Sequence, residues 1–147
     1  MKKAFLLFLV LWSVTCAAQT IGVAETGTFK ITGDLTPIKT YWETLLVNQN
    51  NHSQLGEFTI RSGVDKQLQT TFYMLYAETG DGTAKMAGKL ELKNQEFSLS
   101  NDITGVCICS GCTTSCNPGM NNGNWICAND CADKNCNKSV TARSSGK

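Results

Sequence analysis

Seven of the eight cysteines in this 147-residue chain fall between Cys107 and Cys136, whereas residues 17–106 contain none. That division constrains the two halves differently. The cysteine-bearing stretch is rich in Gly and Asn, and its sizeable apolar side chains are Ile108, Met120, Trp125 and Ile126. So little apolar surface does not offset the entropy of ordering a segment of this length, and cross-links or a metal must supply what a core does not.

The positions Cys107, Cys109, Cys112, Cys116, Cys127, Cys131 and Cys136 are separated by one, two, three, ten, three and four residues. In an oxidising compartment all seven are disulfide candidates, and three bridges with one thiol left over is the simplest account. The spacing does not choose among the pairings. Each bridge contributes about 2–4 kcal/mol by restricting the unfolded chain. The odd thiol is read first as a buried, inert group and second as the link in a disulfide-bonded dimer.

A metal reading stands beside the disulfide reading. It uses Cys107, Cys109, Cys112 and Cys116 for zinc or copper, because Cys109-x-x-Cys112 is a common half-site and thiolates favour these ions. An iron–sulfur cluster is set aside, since Cys107 stands one residue before Cys109 where the bacterial ferredoxin run has two. Export exposes the same thiols to oxidation, so the expectation is no resident cofactor. A thiol-redox role is the third reading; it needs a lowered thiol pKa, and only Lys134 is near in sequence. Asp130, Asp133, Asn129 and Asn135 offer oxygen ligands without the spacing of a calcium loop.

Residues 1–18 read as a secretory signal peptide: Lys2 and Lys3, an apolar run over 4–14 broken only by Ser13, then Cys16-Ala17-Ala18 before Gln19. The apolar run of about eleven residues is short of the ~20 that span a bilayer as a helix. A secreted or periplasmic protein is expected, with no transmembrane segment. Lipid anchoring through Cys16 is the lesser reading, because Ser13 and Thr15 do not match the lipoprotein pattern. Without Lys2 and Lys3 the formal charge changes from +1 to −1, and no basic stripe remains for nucleic acid.

In the cysteine-free half, residues 21–33 read as one half-buried strand on the Phe29-Lys30-Ile31 alternation. A helix follows: Asp34 or Thr36 accepts the first free N–H groups, Pro37 suits the first turn, and Leu35, Ile38, Trp42, Leu45 and Leu46 recur at helical spacing. Strand patterns then surround Phe58 and Ile60, and continue over residues 68–77. Gly80-Asp81-Gly82 reads as a hairpin connection. Beyond it Ala84, Met86, Gly88, Leu90 and Leu92 face one way, and Lys85, Ala87, Lys89, Glu91 and Lys93 the other. Asn94-Gln95 turns the chain towards Phe97 and Leu99. One face of the sheet is expected to be dry and the other charged. From Val106 the alternation is expected to stop, and residues 117–124 read as a flexible loop leading to Trp125.

The resulting expectation is an α+β fold: an antiparallel sheet of about five strands packed on one helix, followed by a small disulfide-rich C-terminal module. The domains are 1–18 signal, 19–106 α+β domain, 107–136 cysteine-rich module and 137–147 flexible tail, with the first domain folding alone. Over residues 21–100 the order strand, helix, four strands resembles cystatin-type folds. The Gln-x-Val-x-Gly hairpin of cystatins is missing, and Arg61-Ser62-Gly63-Val64-Asp65 stands in its place, so no function is carried over.

No nucleophile is spaced with a base, and the lone His52 sits in an Asn/Ser loop, so no catalytic residues are assigned and a non-enzyme is favoured. Asn51-His52-Ser53 and Asn137-Lys138-Ser139 match the glycosylation pattern, which matters only in a eukaryotic source. The function expected is a small, disulfide-stabilised binding protein outside the cytosol, its partner an unknown protein or small ligand.

Overall fold

The computed structural model describes residues 19–100, 105–111, 116–128 and 136–141. Residues 1–18, Cys112, Cys131, the calcium candidates Asn129, Asp130, Asp133 and Asn135, and the last residues of the tail lie outside them.

The chain begins with β1 (Thr20–Glu25) and β2 (Thr28–Ile31), an antiparallel pair joined at Thr26-Gly27. Gly27 adopts a φ of 79°, the left-handed conformation that such a two-residue connection requires. The single strand read over residues 21–33 is therefore a hairpin. Helix α1 (Thr36–Val47) follows, with Pro37 in its first turn. The Asp34 carboxylate accepts the Thr36 N–H at 2.9 Å, as its position before the helix implies.

Strands β3 (Thr59–Val64), β4 (Thr71–Glu78), β5 (Ala84–Lys93) and β6 (Glu96–Leu99) then form an antiparallel series. The two turns expected between them are present. Gly82 has a φ of 70°, and Asn94 and Gln95 have φ of 51° and 67°, a mirror-image turn built without glycine. The Ser53 hydroxyl donates to Asp81 at 2.5 Å and Thr83 donates through both its N–H and its hydroxyl, tying the loop after α1 to the β4–β5 turn.

The sheet continues into the cysteine-bearing region. Strand β7 (Val106–Ser110) pairs with β5, from Gly88↔Val106 to Ala84↔Ser110, on the same edge where β6 pairs from Leu90↔Leu99 to Lys93↔Glu96. Thus β7 prolongs β6 along one side of β5. Strand β10 (Asn137–Thr141) pairs with the other edge of β7. Among the described residues, β8 (Asn117–Asn121) and β9 (Asn124–Ala128) stand apart, as a hairpin of their own.

The architecture corrects the expected fold class. The principal sheet has eight strands, not about five on one helix, and β1 to β6 curl into a nearly closed barrel in which β2 comes to lie against β3. The cystatin-like order fails because two strands, not one, precede α1. Strand β7, at the start of the region read as a cysteine-rich module, and β10, in the stretch read as a flexible tail, both belong to this sheet. Strand β7 does so because Val106 and Ile108 alternate with Cys107 and Cys109 as in any strand between two neighbours. Among the described residues no helix is long and apolar enough to cross a membrane.

The interior is one apolar cluster. Helix α1 contributes Ile38, Trp42, Leu45 and Leu46; the wall contributes Ile21, Leu75, Met86, Leu90, Phe97, Val106 and Ile108. Gly88 marks the tightest approach of helix to wall, since a Cβ there would lie 3.1 Å from Trp42 Cζ2 and 3.3 Å from Leu99 Cδ2. The β5 alternation holds, but its outer face is not charged throughout: Ala87 is fully buried and Lys85 is 5% exposed. A second cluster covers that face.

Candidate functional site

The second cluster lies on the outside of the barrel wall and gathers the sequence-predicted sulfurs. Phe72 and Met74 of β4, Ala87 of β5 and Cys107 and Cys109 of β7 pack there against Met120 and Trp125 of the β8–β9 hairpin. The Trp125 ring meets Phe72 edge to face, with centroids 6.3 Å apart. Its indole N–H has no acceptor among the described residues.

Among the described residues two bridges fasten the hairpin. Cys109–Cys127 joins β7 to β9, and Cys116–Cys136 joins the residue before β8 to the residue before β10, with Cα separations of 5.7 and 5.6 Å. Both lie within the usual range for a disulfide. Among the described residues Cys107 is the free cysteine, and it is fully buried. Burial pushes its thiol up to about 12, against the opposing pull of the Lys138 charge. The structure thus pairs four of the seven candidates and leaves Cys107 as a thiol; Cys112 and Cys131 fall outside the described residues.

Sulfur is not the only fastening. Asp65, at the end of β3, is a 2%-exposed carboxylate that accepts N–H groups from both loops it touches. Gln67 and Leu68 of its own turn donate at 3.0 and 2.9 Å, and Asn122 and Gly123 of the hairpin tip donate at 2.9 and 2.8 Å. The Lys66 N–H adds a bond to the Met120 carbonyl at 3.0 Å. Burial raises the Asp65 carboxyl, but the N–H groups of Leu68, Gly123, Asn122 and Gln67 together outweigh it and bring it down to about 2. Asn122 and Gly123 have φ of 51° and 73°, so the segment read as a flexible loop is a tight mirror-image hairpin turn. Sequence reasoning missed the latch at Asp65 because its two hairpin partners lie 57 and 58 residues away.

Where the hairpin meets the wall, a groove of about 340 Å³ runs between Asp65, Leu68, Tyr73, Leu92, Met120 and Gly123. Leu68 is 52% and Leu92 38% exposed on its rim. A larger groove of about 570 Å³ lies between α1 and residues 55–58, where Glu43 accepts the Leu55 N–H and pairs with Lys39. His52 is exposed, and the convergent metal-type groups among the described residues consist of cysteines alone. Of the four cysteines in the metal set read from spacing, Cys109 and Cys116 belong to different bridges, Cys107 is a thiol, and Cys112 lies outside the described residues.

Comparison with protein-family models, curated proteins and solved structures returns no match to this chain. The class is therefore defined by its own geometry: a disulfide-stabilised, nearly closed antiparallel barrel with an external hairpin.

Proposed function

We propose that the chain is an exported binding protein whose contact surface is the groove between the barrel wall and the bridged hairpin. The carrying observation is that large apolar side chains, Leu68 and Leu92, stand exposed at the junction of the barrel wall and the bridged hairpin. Apolar groups at a concave junction, with polar groups around them, are the usual composition of a contact site. Export is supported by the charged and apolar pattern of residues 1–18 and by the two bridges, which persist in oxidising compartments. The partner is a protein or small ligand of the same compartment.

A thiol-redox role draws less support, because a thiol pushed up to about 12 is almost wholly protonated at neutral pH and is a poor nucleophile. The test of the binding reading compares the protein with a Leu68→Asp/Leu92→Asp variant by co-purification from its own compartment. The variant is expected to keep its melting temperature and lose the captured partner. An identical captured set from both proteins would overturn the assignment of this groove.

A further inference from the structure

The sulfur patch has a second property that the binding reading does not use. Cys107, Cys109 and Cys127 bring their Sγ atoms within 4.8 Å of one another, and the unbridged Cys107 Sγ stands 3.8 Å from that of Cys109. Two thiolates on a three-coordinate ion at about 2.3 Å are about 4 Å apart. The spare sulfur thus already sits close to the edge length of a three-thiolate coordination shell.

We propose that reduction of the Cys109–Cys127 bridge converts this patch into a copper(I) site whose ligands are Cys107, Cys109 and Cys127. The proposal is independent of the groove. A dithiol reductant that meets the protein supplies two electrons and two protons, becoming a disulfide, and the bridge becomes two thiols. One copper(I) ion then replaces the three thiol protons, which leave to solvent, giving a tris-thiolate complex of net charge 2−.

Three features select the ion and keep the site assembled. All three donors are soft sulfurs, packed among Phe72, Met74, Met120 and Trp125 with the Cys116–Cys136 bridge beside Cys127, and a sulfur-rich setting favours copper(I). Zinc would require a fourth ligand, which the Cys116–Cys136 bridge does not supply while it is intact. Lys138, opposite Cys109 in the β10–β7 ladder and hydrogen-bonded to the Trp125 carbonyl at 3.0 Å, places an ammonium beside the excess negative charge. Opening the bridge does not disperse the ligands. Cys107 and Cys109 are fixed by ladders on both edges of β7, and Cys127 by the hairpin, which Asp65, the Lys66–Met120 bond and Trp125 packing hold without sulfur.

The test reduces the whole protein anaerobically with a phosphine and titrates copper(I) against a bicinchoninate competitor, with elemental analysis for stoichiometry. The tightest copper equivalent is expected to weaken at least about tenfold in Cys107→Ser, the scale on which lost support of a metal site is felt. The unreduced protein is expected to take up none. Cys107→Ala, which suits the apolar setting, serves if the serine variant does not fold. Equal copper affinity with and without the Cys107 thiol, or failure of the reduced protein to compete with the chelator, would overturn the proposal. Neither result bears on the Leu68/Leu92 groove.

Discussion

The two faces of the barrel wall are covered by different chemistry. On the inside, α1 lays Ile38, Trp42, Leu45 and Leu46 against the wall residues, and burial of large apolar side chains is sufficient. On the outside, the β8–β9 hairpin brings essentially Met120 and Trp125, and three further devices fix it: two disulfides, the four-donor Asp65 carboxylate and the edge-to-face Trp125–Phe72 contact. The inner layer is a solvent-exclusion structure, whereas the outer layer is a fastened one. A small appendage need not fold by itself when the wall supplies half of its core.

The comparison breaks most readily at β7, which serves both faces. A chain ending at residue 105 loses Val106 and Ile108 from the interior and Cys107 and Cys109 from the exterior, and is expected to lose its cooperative melting transition in calorimetry. Retention of that transition would show that the inner layer is self-sufficient. Next in size, the double variant Cys109→Ser/Cys127→Ser should cost about 2–4 kcal/mol in denaturant unfolding. Trp125 should nevertheless stay shielded from acrylamide quenching in its native state, because the other fastenings remain.

Acid should separate the layers more gently. Asp65 is held down to about 2, below the ordinary range near 4 of an unfolded Asp, so the folded state binds fewer protons than the unfolded one across that window. Its contribution is complete above about pH 4 and is lost as pH falls through about 2. Asp65→Asn is expected to lower the melting temperature at pH 7 and to flatten its acid dependence; an unchanged profile would remove the latch from the account. Iodoacetamide at pH 8 should leave Cys107 unmodified in the folded protein and label it after denaturation, as peptide mapping would show. The smallest effect is expected at the β5–β6 turn: Gln95→Gly, which relieves a φ of 67°, should stabilise by less than about 1 kcal/mol.

Much of the inner layer was legible in the residues. The i, i+3, i+4 recurrence of Ile38, Trp42, Leu45 and Leu46, the β5 alternation and the turns at Gly80-Asp81-Gly82 and Asn94-Gln95 are local patterns, and each is present as read. The division of residues 21–33 was not, because Thr26-Gly27 is a weak hairpin signal beside Asn-Gly. The outer layer was misread for a different reason. Val106-Cys107-Ile108-Cys109 is an ordinary strand alternation once Cys counts as a small hydrophobe, and Asn122-Gly123 is a strong hairpin signal, but reading the region through its sulfur chemistry concealed both. Asp65 has local partners in Gln67 and Leu68, but its contact with the hairpin comes from the far end of the chain and leaves no local signal.

The position of β7 on β5 also governs which sulfur atoms can meet during oxidation. A slip of one residue against β5 would turn Cys107 and Cys109 into the barrel, out of reach of Cys127, and would take Val106 and Ile108 out of the interior cluster. Backbone pairing therefore proofreads the covalent chemistry: a misaligned strand loses its interior fit and its correct cross-link together, and the native bond seals only a ladder that is already aligned.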